Sequence, residues 1–245
     1  MHVFKIRGMA VILSIETSTD VCSVALTSEG QVLDHRENYE GQTHATILSQ
    51  YVKEMLDYAR TRELKLDAVA VSIGPGSYTG LRIGLSEAKG LAFGLNVPLI
   101  GVNTLQLLTV SAMFNHFIDE GGEKGLLYVP MIDARRMEVY TAVYTAALDA
   151  VLEPQAMILD EHSFESFLQD GYSLVLMGNG SDKARQVMSS DRVHFIDGVK
   201  PVAVEMMALA EKAFRERAFI DVAYSTPLYL KDFQATKPKN PILDI

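Results

Sequence analysis

Two halves of the chain run through the same order of secondary structure, and that repetition limits the fold more than any single motif. In the first half, Val11–Glu16 (VILSIE), residues 22–27 (CSVALT) and residues 31–37 (QVLDHRE) have the length and apolar content of strands, the third more polar and so nearer an edge. Residues 43–60 carry a helical period, and residues 67–73 (DAVAVSI) form a buried strand. A glycine-rich segment then opens a helix that runs to about residue 93, and a short strand, 98–102, leads to Asn103 as the cap of the next helix. The second half repeats the order. Strands are expected at Leu126–Asp133, Glu138–Tyr144 and 157–159, a helix at 161–168, a strand at Ser173–Met177, a helix from Ser181 and a long helix at 202–217. The order repeats without any visible repeat of sequence. Mixed sheets flanked by helices, in two lobes, are an α/β architecture. The loop FIDEGGEKG at 117–125 breaks the pattern with charge and glycine, which divides the chain into lobes at 1–110 and 111–245. The end, KDFQATKPKNPILDI, reads as a polar, loosely ordered tail.

With 245 residues, 48% of them hydrophobic and 22% charged, the chain has enough apolar surface for one large domain or two modest ones. No apolar run approaches the roughly 18 residues that span a bilayer. The opening MHVFKIRGMAVILSIETS lacks an apolar core followed by a small-residue cleavage site, so no secretory signal is expected, and Met9 is an alternative start to Met1. The one cysteine, Cys22, excludes a disulfide framework and a cysteine metal site, and it reads as a small buried hydrophobe in a reducing cytoplasm. A net charge of −9 disfavours a broad nucleic-acid surface, so any RNA is expected to reach this chain through a partner.

The stretch SIGPGSYTGLRIGLSEAKGLAFG, from Ser72 to Gly94, holds six of the chain's 17 glycines. It is not a P-loop, because no lysine stands where the phosphates would need one, and its G-x-G-x-x-x-G spacing is one residue longer than the dinucleotide fingerprint. It still lies between a buried strand and a helix N-terminus, where free N–H groups hold anions, while Ser77 and Thr79 are cap candidates. Together with the polar turn Glu16–Asp20 this makes Thr17, Ser18, Gly74 and Gly76 candidate nucleotide or anion contacts; an ordinary capped turn is the competing reading. Within the helix, Gly80, Gly84 and Ala88 fall on one ridge. A glycine inside a helix costs about 1 kcal/mol against alanine, so close approach of another backbone is expected to offset it. That neighbour is either the protein's own sheet or a helix of another chain.

The helix at 43–60 bears a core stripe (Leu48, Val52, Met55, Leu56, Ala59) and a second stripe (Ile47, Tyr51, Tyr58) beside it. An apolar arc of roughly 180° exceeds the ~100° that core packing requires, which points to an interface. His44 lacks a second histidine at i+4, where Leu48 stands, and the remaining histidines are scattered, so no metal site is expected. Asp133, Arg135 and Arg136 follow a strand and either face a cleft or form a solvated turn. No G-x-S-x-G nucleophile elbow is present.

Taken together, ILSIETSTDVCSVAL, SIGPGSYTGLRIGLSEAKGLA, VPLIGVNTLQLL and MIDARRMEVY resemble the TsaB (YeaZ) family, closely in the first half and more loosely in the second. The resemblance implies an actin-like, ribonuclease-H-like two-lobe fold and a role in making N6-threonylcarbamoyladenosine beside the anticodon of tRNA. It implies a non-catalytic subunit that pairs with a TsaD-type transferase, is joined by a TsaE-type ATPase and forms a homodimer when alone. Tightly bound cofactors are not expected, ATP or ADP belonging to the interface of the complex, and tRNA is met only through the complex. The catalytic relative carries an H-x-x-x-H metal pair where this chain has His44 and Leu48. The family pairs through its first two helices, and the expected interface is Ile47, Leu48, Tyr51, Met55, Leu81, Gly84 and Ala88. The competing functions are a stand-alone nucleotide-dependent enzyme of the actin-like ATPase class, and a peptidase, for which no nucleophile is evident.

Overall fold

The first five strands form one sheet in the order β3-β2-β1-β4-β5, made of β1 Val11–Glu16, β2 Cys22–Ser28, β3 Gln31–Asn38, β4 Ala68–Gly74 and β5 Leu99–Asn103. The second sheet repeats it as β8-β7-β6-β9-β10, from β6 Leu126–Asp133, β7 Glu138–Tyr144, β8 Ala150–Ile158, β9 Ser173–Met177 and β10 Val193–Ile196. In both, the first three strands pair antiparallel and the last two add in parallel. The computed structural model describes residues 10–41, 43–116 and 123–231. The expected lobe-dividing loop falls largely, and the tail beyond Lys231 and both candidate start methionines wholly, outside the described residues.

Periodicity explains most of these elements. β1 sends Val11, Leu13 and Ile15 to one face, where α1 (His44–Thr61) supplies Leu48, Val52, Met55 and Ala59. Its other face gives Ile12 to a cluster with Ile100, Leu107, Met206 and Ala210. A strand covered on both sides reads as a nearly continuous apolar run. β3 lies at the sheet edge, and its charged residues suit a solvent-facing margin. The helix α3 (Thr104–Asn115) starts at Asn103, whose Oδ1 accepts from Leu105 N at 2.8 Å. Its apolar residues face all round because it packs between the two sheets, Leu107 toward the first and Leu105 and Leu108 toward the second.

Several expectations need correction. The strand β10 was not anticipated: VHFI is too short for a period, and it becomes a strand only by pairing with β9. β8 begins at Ala150, well before residue 157, because Pro154 is tolerated on an edge strand. The division at residue 110 cuts through α3. The helix expected at 161–168 is the shorter α4 (Glu165–Gln169), α5 runs over Ser181–Val187, and the last helix, α6 (Met207–Glu216), starts later than residue 202 and packs through Ala210 on the first sheet. Residues 218–231 then continue as a strap across the first lobe. Ile220 N donates to Leu99 O at 2.9 Å and Leu228 N to Ile73 O at 2.7 Å, before Lys231 ion-pairs with Glu138 of β7 at 2.5 Å.

Candidate functional site

The turn after β1 and the helix α2 (Tyr78–Leu95) are built against each other. Thr17 Oγ1 donates to Gly80 O at 2.8 Å, and Ser77 N donates to Ser18 O at 2.7 Å. A Cβ on Gly80 would stand 2.1 Å from Thr17 O, and one on Gly84 would stand 2.2 Å from Thr17 Oγ1. The glycine ridge therefore meets the chain's own β1–β2 turn, and the sharper expectation, that it receives a helix of another chain, is corrected. A stripe without side chains announces close approach; it carries no information about which backbone arrives.

The same contacts revise the anion reading. Gly76 lies against Ser18 O, and Gly74 against Leu228 O of the strap, at 2.3 Å and 2.8 Å from where a Cβ would be. Gly80 N is taken by the cap Ser77 Oγ at 3.2 Å. Of the four candidate anion contacts, Thr17 is wholly buried against α2, and Gly74 sits beneath the strap. Ser18 and Gly76 alone among them border the open cleft. Where Gly76 and Gly80 face the hairpin, the turn's own carbonyls, Ser18 O and Thr17 O, stand against them.

Glu16 closes β1 with no exposed surface. Burial pushes its carboxyl up to about 7, against the opposing effect of Ser18, whose N and Oγ both donate to Oε1 at 2.5 Å. Neighbouring Cys22 is fully buried, and burial, reinforced by the Glu16 charge, pushes its thiol up to about 11, so it is a packing residue rather than a nucleophile.

Between the lobes lies a cleft of about 1000 Å³. The first lobe lines it with Ser18, Asp20, His44 and the start of α2, and the second with Asp133, Arg135 and Asn179. His44 is buried, and its Nε2 lies 3.0 Å from Val21 O, so it ties the start of α1 to the β1–β2 turn. Asp133 is held by Lys183 at 2.9 Å, and Asp20 by Lys200 at 2.8 Å. Sequence reasoning found Asp133 and Arg135. It missed Lys183, Lys200 and the strap residues Tyr229 and Lys231, because nothing in a linear sequence brings positions so far apart to one cleft.

The seven residues expected at a partner interface divide. Leu48, Met55, Leu81, Gly84 and Ala88 are covered by the protein's own core, so they offer no surface; Ile47 and Tyr51 stay half-buried at its margin. The broad apolar arc of α1 is thus partly spent on α2 and the sheet. What remains outside is a groove between α1 and α2, floored by Val52, Leu56 and Leu91 and rimmed by Lys53, Asp57, Arg60 and Glu87.

Comparison with known proteins agrees with this geometry. The family model described as "TsaD: tRNA N6-adenosine threonylcarbamoyltransferase" matches residues 36–239. The tRNA threonylcarbamoyladenosine biosynthesis protein TsaB of Escherichia coli (strain K12) is 32% identical over 231 residues, covering 92% of this chain and 96% of that protein. TsaB of Bacillus subtilis (strain 168) is 30% identical over 225 residues, covering 90% and 93%. The solved structure of YeaZ from Pseudomonas aeruginosa superposes with a TM-score of 0.70 at 25% identity, covering 90% of this chain and all of that one. Shared sequence over nearly the whole length of both chains and a shared fold lead to one conclusion: the chain belongs to the TsaB (YeaZ) family, within the wider group that the TsaD model matches.

Proposed function

We propose that this chain is a non-catalytic pairing subunit in the synthesis of threonylcarbamoyladenosine in tRNA. In this reading it docks on a TsaD-type transferase through the α1–α2 groove and holds that partner in its working geometry. A TsaE-type ATPase joins the pair, ATP or ADP binds at the interface of the assembly, and two copies of this chain use the same face when no partner is present. The setting is the cytoplasm; among the described residues no helix is long and apolar enough to cross a membrane.

The observation that carries the reading is the filled position between the β1–β2 turn and the glycine loop. Thr17 and Ser18 press directly on Gly76, Gly80 and Gly84 there. His44, on the same lobe, supports it. Its Nε2 is engaged by Val21 O, and Leu48, one turn on, is 1% exposed in the core, so this helix presents no ligand pair. The groove fits a helical partner of similar build, since its apolar floor is ringed by both signs of charge. The test is tRNA modification with purified transferase, ATPase, synthase and substrates, with and without this chain. Product only in its presence, and none from the chain alone, is the expected result. Nucleotide turnover or tRNA modification by the isolated chain would refute it.

A further inference from the structure

The cleft has two lips that the pairing role leaves unused. On the first lobe, the rings of Tyr78 and Tyr229 stack with centroids 5.0 Å apart, and the Arg82 guanidinium lies 4.1 Å from the Tyr78 centroid. Arg82 Nε also donates to the Tyr229 hydroxyl at 3.0 Å. The strap fixes this stack from behind through Leu228, yet Tyr229 keeps 39% of its surface exposed and Arg82 is exposed. On the second lobe, the β6–β7 hairpin ends in Arg135 and Arg136, both exposed. Both stand at positive φ, 71° and 46°, a region that side chains other than glycine rarely adopt. The turn is held in that shape by Asp133 Oδ1, which accepts from Arg135 N at 2.6 Å, and by Ala134 N, which donates to Glu138 O at 3.1 Å.

Neither guanidinium meets an acid or an acceptor among the described residues, a state they share with Arg192, Arg215 and Arg217, none of which lines the cleft, whereas Arg36, Arg60 and Arg185 are ion-paired. In a chain of net charge −9, two unpaired arginines on a strained turn, the first of them lining the same cleft as Tyr78 and Tyr229, suit a partner with negative charge and flat rings. RNA supplies both. Phosphodiester oxygens accept from guanidinium groups, and every unstacked base has a face for tyrosine. An acidic protein face would satisfy the arginines and leave the stack idle.

We propose that these lips bind RNA within the assembled complex, Arg135 and Arg136 holding the phosphodiester backbone and the Tyr78–Tyr229–Arg82 stack receiving an unpaired base. This rests on the function proposed above. The experiment uses a fluorescent tRNA transcript and the purified complex of this chain with its TsaD-type partner. Anisotropy is read across about 0.05–0.3 M KCl, and pairing is followed by gel filtration in the same samples. The doubly substituted Arg135→Gln/Arg136→Gln chain is expected to bind about tenfold more weakly near 0.1 M salt, with the log–log salt slope reduced by about 1.5. Arg135→Lys/Arg136→Lys should restore the slope. Tyr229→Ala should weaken binding about fivefold or more with the slope unchanged. Intact pairing with unchanged affinity and slope overturns the RNA surface alone. Loss of pairing in the glutamine variant means that the arginines meet the partner protein, which also overturns it. Failure of the natural chain to pair overturns the functional reading, and this inference with it.

Discussion

Substituting Gly84 measures what the glycine ridge does. The Cβ of Gly84→Ala would stand 2.2 Å from Thr17 Oγ1, more than 1 Å inside an ordinary contact, and Thr17 is wholly buried with that hydroxyl bonded to Gly80 O. Overpacking of this kind costs about 1–3 kcal/mol. Displacing the hydroxyl forfeits about 1 kcal/mol of hydrogen bonding. The gain in helix propensity from glycine to alanine returns about 1 kcal/mol. Gly84→Ala is therefore expected to destabilise the natural chain by about 2 kcal/mol. In a Thr17→Ala background the hydroxyl and methyl are gone, and the nearest remaining atom, Thr17 Cβ, lies at an acceptable 3.4 Å. There the same substitution should be neutral or stabilising by up to about 1 kcal/mol. The assay is urea unfolding of the four chains of the cycle, with equal m-values as the check that the unfolded states match. A coupling of about 2–3 kcal/mol is expected. Equal cost in both backgrounds would show that Thr17 is not what the glycine accommodates. A stabilising Gly84→Ala in the natural chain would show that the ridge is open, as an interface with another molecule requires.

Glu16 gives a pH signature. Its carboxyl titrates at about 7 in the fold against 4.5 ordinarily. Between those values the folded state keeps a proton that the unfolded state has lost, so stability falls as pH rises, by about 3 kcal/mol in all, and is level above the upper value. Glu16→Gln should remove that decline in urea midpoints taken from pH 5 to 8, and parallel curves for the two chains would contradict it. Leu91→Asp, on the floor of the α1–α2 groove, should weaken pairing with a TsaD-type partner at least tenfold, about 1.4 kcal/mol or more, while the thermal midpoint moves by only a few degrees. Unchanged pairing would move the docking face elsewhere. Lys231→Ala removes the ion pair that joins the strap to Glu138, and proteolysis within residues 218–231 should accelerate with the lobes still folded; an unchanged cleavage rate would mean that the contacts of Ile220, Ala223, Leu228 and Tyr229 hold the strap without it.

Much of this protein is legible in its sequence. Four strands, Val11–Glu16, Leu126–Asp133, Glu138–Tyr144 and Ser173–Met177, appear with the boundaries that their apolar runs indicate, because each lies inside a sheet where burial on both faces enforces such a run. The cap at Asn103, the doubled element order and the family follow from local patterns in the same way. Tertiary structure alone decided the rest. Val193–Ile196 is a strand only because β9 offers an unpaired edge. Leu48, Met55 and Ala88 turn inward because α1, α2 and the first sheet close over them, although their periodicity would serve an outer interface equally well. Gly80 and Gly84 declare that a backbone comes close, and only the folded chain shows it to be the turn at Thr17. The cleft joins residues 18 and 231, and its lips exist only because the strap returns from the second half of the chain to the first. Helical and strand periods are properties of neighbours in sequence, so sequence carries them; the partner of a bare ridge or a free arginine is set by packing between distant segments, and no local pattern encodes it.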